Sequence, residues 1–153
     1  MTARTLFAAC VLILGSLFVI ARPALGANCT ISTTAVSFGT YNVFATSPLD
    51  STGSVTYNCG GKASITVSLS NGGAATYNPR RMLKGGEALD YNLYLDASRT
   101  TIWGDGTGGT QIYSNPIVPN NTNITVTIYG RIPAGQDVSA GSYSNIITAT
   151  VNF

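Results

Sequence analysis

The sequence predicts an all-β domain, built as a two-sheet sandwich of about six or seven antiparallel strands. Three observations support this fold class. Apolar and polar residues alternate with period two in several short segments, as in strands with one buried face. Clusters rich in Gly, Asn, Ser and Pro separate these segments, and they are typical of turns. No segment sustains the i, i+3, i+4 spacing of an amphipathic helix.

The first 27 residues are expected to be a secretory signal peptide and not part of the fold. Arg4 precedes an apolar run over 6–21, and the small residues Ala24, Gly26 and Ala27 close the segment. A membrane anchor is the alternative, but a run of about 16 residues is shorter than the roughly 20 needed to span a bilayer. Cleavage is predicted after Gly26 or Ala27, which leaves one domain over 28–153.

The candidate strands follow in chain order from this cleavage site. In the third, Ile65, Val67 and Leu69 share one face, with Thr66 and Ser68 on the other. The others show the same alternation, so the predicted strands cover 30–39, 53–59, 63–70, 87–96, 123–130 and 142–153. Other stretches, including the one around Arg80 and Arg81, are predicted to be solvated turns and loops.

The last candidate strand, from Ser142 to Phe153, is rich in β-branched residues and carries no charged side chain. An uncharged apolar strand invites pairing with another chain when it lies at a sheet edge. We therefore expect it to form an acceptor or docking edge, in which Asn145 interrupts a row of otherwise apolar or aromatic residues: Tyr143, Ile147, Ala149, Val151 and Phe153.

The charges of the predicted mature domain are balanced. Two of the eight basic residues, Arg4 and Arg22, belong to the leader, so six remain to match the six acidic residues. Such a domain has no basic surface typical of nucleic-acid or anionic-membrane binding.

Two cysteines, Cys29 and Cys59, remain once the leader and Cys10 are removed. An even pair in an exported chain predicts a disulfide bond. Metal binding is the alternative, but the chain has no His to complete a zinc site.

Catalysis is not expected. The chain offers no His as a general base and no free thiol once the cysteines are paired. Asp96 and Asp105 could form a hydrolase pair, and the Gly-rich stretch after Asp105 could bind calcium, but both aspartates also suit ordinary turns. We therefore predict no catalytic residue, no metal site and no cofactor.

A surface-binding loop is a further possibility, with Val43, Phe44 and Trp103 as candidate contacts. A free-standing extracellular module that adheres to a surface or a glycan through these residues is the alternative function. A lone Trp beside a turn is, however, more often part of the packing.

Several segments, taken together and in order, resemble the spore coat protein U domain family: "CTISTTAVSFGTY", "GSVTYNC", "LDYNLYLD", "WGDGT", "YGRIPAGQDVSAGSY" and the final "TVNF". This family includes subunits of archaic chaperone–usher pili. The resemblance implies an incomplete immunoglobulin-like sandwich that lacks its final strand. It also implies a groove between the first strand, around Thr30–Phe38, and the last strand. Implied partners are a periplasmic chaperone, an outer-membrane usher, and a neighbouring subunit that donates a strand.

The sequence departs from the polymer-forming members of that family in one respect. Those members carry an N-terminal donor arm before the first cysteine, whereas Cys29 follows the predicted cleavage site almost at once. We therefore expect a distal or terminating subunit, or a coat component, that accepts a strand but does not donate one. The expected destination is the cell surface, a pilus or the extracellular space, reached through the periplasm.

Overall fold

The computed structural model describes residues 28–61 and 63–153, so the predicted signal peptide lies outside the described residues. Within these ranges the chain forms eight strands: β1 (Asn28–Thr34), β2 (Leu49–Gly60), β3 (Ala63–Leu69), β4 (Arg80–Lys84), β5 (Glu87–Tyr94), β6 (Tyr113–Val118), β7 (Ile124–Ile132) and β8 (Ala149–Asn152). The described ranges contain no helix long and apolar enough to cross a bilayer.

Two antiparallel sheets pack face to face. The larger sheet has the order β1-β2-β7-β5-β4, and the smaller has the order β6-β3-β8. The longest pairing joins β2 to β7, from Leu49 opposite Ile132 to Tyr57 opposite Ile124. This arrangement confirms the predicted all-β sandwich.

The inward faces of both sheets form a single core, as the period-two pattern predicts. The two sheets contribute alternate residues from β2, β3, β5 and β7, and Trp103 from the loop between β5 and β6. The buried apolar set is Val55, Tyr57, Cys59, Ile65, Val67, Leu69, Leu89, Tyr91, Leu93, Trp103, Val118, Val126, Ile128 and Ile132.

The disulfide prediction is confirmed. Cys29 in β1 lies directly opposite Cys59 in β2, and the two are bonded. The bond therefore joins neighbouring strands of one sheet and fixes β1 at the edge of that sheet. It closes a sequence separation of 30 residues, so the chain-entropy model assigns it about 3–4 kcal/mol of stabilisation.

The structure has eight strands where six or seven were predicted, and most of the predicted strands differ in extent. β4 and β6 form in stretches that sequence patterns assign to loops, and Pro116 is tolerated because β6 is an edge strand. The first strand ends at Thr34 and not at Gly39, because the chain then leaves β2. The last strand is regular only over Ala149–Asn152.

The prediction of a solvated Arg80 is wrong. Its side chain is 0% exposed. Its guanidinium donates to the Ser70 carbonyl (3.0 Å), the Asn92 side-chain oxygen (2.7 Å) and the Trp103 carbonyl (2.6 Å). Burial lowers the pKa of Arg80. The adjacent Arg81 is exposed and pairs with Asp90 at 3.1 Å.

The two adjacent arginines therefore allow a matched test. Arg80→Ala should lower the free energy of unfolding by more than about 2 kcal/mol, because it leaves several buried acceptors unpaired. Arg81→Ala should cost less than about 1 kcal/mol, since it removes only an exposed ion pair. Denaturant titration of both variants measures the difference, and equal losses would contradict the buried role of Arg80.

Candidate functional site

A large cavity of about 1190 Å³ lies between the two sheets along one side of the sandwich. Protein interiors are close-packed and have few voids larger than a water molecule, so a cavity of this size marks an unfinished core. Its floor is made of buried residues from both sheets, chiefly Val55, Leu69, Leu89, Tyr91, Leu93, Ile128 and Ile132. Residues 33–43 and 138–149 border it, and we call them the N-terminal rim and the C-terminal rim.

The N-terminal rim turns inward after β1. Val36 and Phe38 are half-buried and pack onto the larger sheet. Glycines of that sheet leave room for both side chains. A Cβ added to Gly53 would lie only 2.8 Å from Val36 Cγ2, and one added to Gly130 would lie only 2.7 Å from Phe38 Cζ. Within the described chain, the backbone of 35–41 forms no hydrogen bond to another backbone group. Apart from the Ser37 carbonyl, which accepts from the Ser51 hydroxyl at 2.6 Å, the main-chain groups of this stretch form no hydrogen bond among the described residues.

The C-terminal rim crosses from one sheet to the other. Ser144 exchanges two backbone hydrogen bonds with Leu83 of β4 in the larger sheet. The Thr148 carbonyl then accepts from the Ser70 amide, next to β3 in the smaller sheet. The prediction of one regular strand from Ser142 onward is wrong in extent, because the chain changes its pairing partner within that stretch.

The predicted docking-edge residues separate into three groups. Tyr143, Ile147 and Ala149 line the cavity. Val151 lies opposite Val67 of β3 and packs against the core. Phe153 lies past the end of β8 and is 58% exposed. β8 also has no strand on its outer side among the described residues. A docking role for this edge stays a prediction.

The candidate surface loop does not form one surface. Trp103 is 0% exposed, and its indole nitrogen donates to the Val67 carbonyl at 2.8 Å, so its assignment as a surface contact is wrong. Val43 lines the cavity. Phe44 alone projects into solvent, at 89% exposure.

The two aspartates considered for catalysis cap turns. Asp96 accepts hydrogen bonds from Ser98, Thr100 and Thr101, which hold the pKa of its carboxyl below the usual value. Asp105 accepts from Thr107, with the same effect on its pKa. In the described part of the chain, no three His, Cys, Asp or Glu residues are grouped to hold a metal ion.

Contacts from the β4–β5 hairpin hold the C-terminal rim in place, and sequence patterns gave no indication of them. The Glu87 carboxylate accepts from the Ser139 hydroxyl at 2.6 Å and from the Tyr143 hydroxyl. Lys84 donates to the Ala140 carbonyl at 2.8 Å. A Gly-Gly turn between Lys84 and Glu87 was the one local signal for a hairpin here.

A second set of contacts joins the N-terminal rim to a segment that precedes the C-terminal rim. The Tyr41 hydroxyl donates to the Pro133 carbonyl at 3.0 Å and accepts from the Gln136 amide at 2.9 Å. The Gln136 side chain also bonds both main-chain groups of Asp90. These contacts hold the chain just before the C-terminal rim.

The fold and the cavity together define an incomplete immunoglobulin-like β-sandwich with an open seam between its terminal segments. The sequence profile of the Spore Coat Protein U domain matches residues 16–150, and the chain belongs to this family. The resemblance noted from the sequence segments is thereby confirmed.

Two relatives illustrate the likeness. Protein U of Myxococcus xanthus is 30% identical over 145 residues, which cover 84% of this chain and 79% of that protein. A chain in the crystal structure of the CsuC–CsuE chaperone–tip adhesion subunit pre-assembly complex, from archaic chaperone–usher Csu pili of Acinetobacter baumannii, superposes with a TM-score of 0.60. At 24% identity this match shows a shared fold. It covers 83% of the present chain but only 40% of the solved one.

Glu87 should make the attachment of the C-terminal rim sensitive to acid. Hydrogen bonds from Ser139 and Tyr143, with the charge of Lys84, lower the pKa of Glu87 from 4.5 to about 2. A carboxyl whose pKa falls on folding stabilises the folded state above its unfolded pKa, and this contribution is lost as pH falls from 4.5 towards 2. Thermal unfolding midpoints of wild type and Glu87→Gln should therefore differ most above pH 4.5 and converge near pH 2. A difference that does not change with pH would contradict this role.

Proposed function

We propose that this chain is a secreted structural subunit of a chaperone–usher pilus or coat, and that its open seam accepts a strand from another protein. The observation that carries the proposal is the cavity of about 1190 Å³ between two rims, of which the N-terminal one forms no backbone–backbone hydrogen bond over 35–41. A periplasmic chaperone would supply the strand during export, and a neighbouring subunit would supply it after passage through an outer-membrane usher. Family membership and the shared fold support this assignment.

The physical basis is strand addition. An extended segment lying between the rims gains main-chain hydrogen bonds from the unpaired groups of 35–41 and from the free edge of β8. Its alternate side chains point into the cavity, because successive residues of a strand face opposite sides. The added strand thus completes both the smaller sheet and the core.

We further propose that the mature subunit accepts a strand without donating one. The support is the predicted cleavage after Gly26 or Ala27 together with the fixed place of Cys29 in β1, where it is bonded to Cys59. A donor must span the cavity at about 3.3 Å per residue, so one or two residues before Cys29 are too few. Such a subunit would end a fibre or lie at its tip, and would reach the cell surface, a pilus or the extracellular space.

Strand acceptance can be measured with a synthetic peptide of about ten residues whose apolar side chains alternate. Because the peptide binds only the folded protein, it should raise the thermal unfolding midpoint in a concentration-dependent way. Ile147→Asp should abolish this increase, since it places a charge inside the cavity.

Ile117→Asp is the matched control, because Ile117 is exposed and lies in β6, outside both the cavity lining and the predicted docking edge. It should respond to the peptide as wild type does. A wild-type response from Ile147→Asp, in a variant whose circular dichroism spectrum matches wild type, would show that the cavity is not the acceptor.

The lack of a donor arm predicts that the exported protein does not polymerise alone. Intact mass should first place its N-terminus at Ala27 or Asn28. Electron microscopy should then show no fibres, whereas fusion of an alternating apolar arm of about ten residues ahead of Asn28 should produce them. Regular fibres from the unmodified protein would contradict the proposed terminating role.

A further inference from the structure

The apolar floor of the cavity contains one hydroxyl group, that of Tyr91. The residue is only 4% exposed and lies beneath the gap between the rims. Phe38 of the N-terminal rim packs edge-on against its ring, with centroids 6.0 Å apart. From the other side, the Asn145 amide nitrogen donates to the Tyr91 oxygen at 3.1 Å. A strand that enters between the rims therefore passes over Tyr91.

This pair of polar groups has unused hydrogen-bonding capacity. The Tyr91 oxygen accepts from Asn145, but within the described residues its own proton has no acceptor. The Asn145 side-chain oxygen accepts no hydrogen bond in the same part of the chain. Burial raises the pKa of Tyr91, which keeps the phenol protonated. The pair therefore offers the cavity one donor and one acceptor.

The position of Asn145 is set by its neighbours. It lies in the C-terminal rim between Tyr143 and Ile147, which also line the cavity. Its amide packs against Gly72, where φ is +70° and an added Cβ would collide with the Asn145 side chain. The glycine thus leaves room for an amide in an otherwise apolar row.

We propose that this polar pair selects the donor strand: the inward residue that passes over Tyr91 carries a hydroxyl or an amide, and the flanking inward residues are apolar. Ser, Thr, Asn or Gln can accept from the Tyr91 hydroxyl and donate to the Asn145 oxygen at once. The inference rests on the proposed strand-accepting function and adds the chemistry of the strand.

The physical reason is the cost of leaving polar groups unpaired. An apolar residue over Tyr91 would cover the hydroxyl and the amide oxygen without replacing their contacts with water, and such unpaired groups are costly. An ionised residue would lose more hydration than the neutral pair can return. The expected order of affinity at this position is therefore amide or hydroxyl, then apolar, then charged.

The experiment uses the exported, disulfide-bonded protein and a set of peptides of about ten residues with Val at every inward position. Each inward Val is replaced in turn by Thr, which has nearly the same shape, and separately by Asn and by Asp. Calorimetry measures each dissociation constant. At one position, Thr or Asn should bind about tenfold more tightly than Val, and Asp more weakly than Val.

Two variants assign that preference to the pair. Tyr91→Phe removes only the hydroxyl, and Asn145→Leu replaces the amide by an apolar group of similar size. Both should bind the all-Val peptide at least as tightly as wild type does and lose the preference for Thr or Asn. Ile146→Val, a change at an exposed residue of the same rim that does not line the cavity, should retain it.

The outcomes distinguish a failure of the proposed strand selection from a failure of the proposed strand-accepting function. If wild type binds the all-Val peptide as tightly as every substituted peptide, the selection is wrong and the accepting function stands. If the preference survives in Tyr91→Phe and Asn145→Leu, its assignment to this pair is wrong. If no peptide binds, strand acceptance itself fails, and the selection with it.

Discussion

The open seam between the two sheets is the constraint on which the rest of the molecule depends. Two terminal segments border it, and neither keeps one pairing partner along its whole length. The N-terminal segment leaves β2 after Thr34, and the C-terminal segment moves from β4 to β3 between Ser144 and Thr148. Neither segment pairs with the other, so the apolar floor between them is not covered by a strand of the described chain.

A core with an empty seam must be held open by contacts elsewhere. The Cys29–Cys59 bond fixes β1 beside β2, just before the N-terminal rim begins. Glu87 and Lys84 hold the opposite rim against the β4–β5 hairpin. These contacts are polar or covalent and lie around the cavity, whereas the floor of the cavity is mainly apolar.

Arg80 holds several buried groups of the interior together through hydrogen bonds and not through apolar packing. It joins the loop after β3, strand β5 and the backbone of Trp103 through three hydrogen bonds to neutral acceptors. Within the described chain its side chain forms no ion pair. A buried charge of this kind is tolerated because carbonyl and amide dipoles replace its hydration. Arg80 also lies directly opposite Tyr91 in the β4–β5 ladder, so the two side chains are neighbours on one face of the sheet.

The sequence by itself determined the sandwich, its inward faces and the disulfide, because period-two alternation and an isolated cysteine pair are local signals. It also indicated that the uncharged terminal segment has an unusual role. Only the tertiary structure decided where each strand ends, since the end of pairing at Thr34 and the change of partner after Ser144 depend on distant segments. For the same reason it alone placed Arg80 and Trp103 in the interior and brought Asn145 to Tyr91, 54 residues apart in the chain. Side-chain type predicts which face is apolar, but the partner of a polar group depends on how the sheets pack.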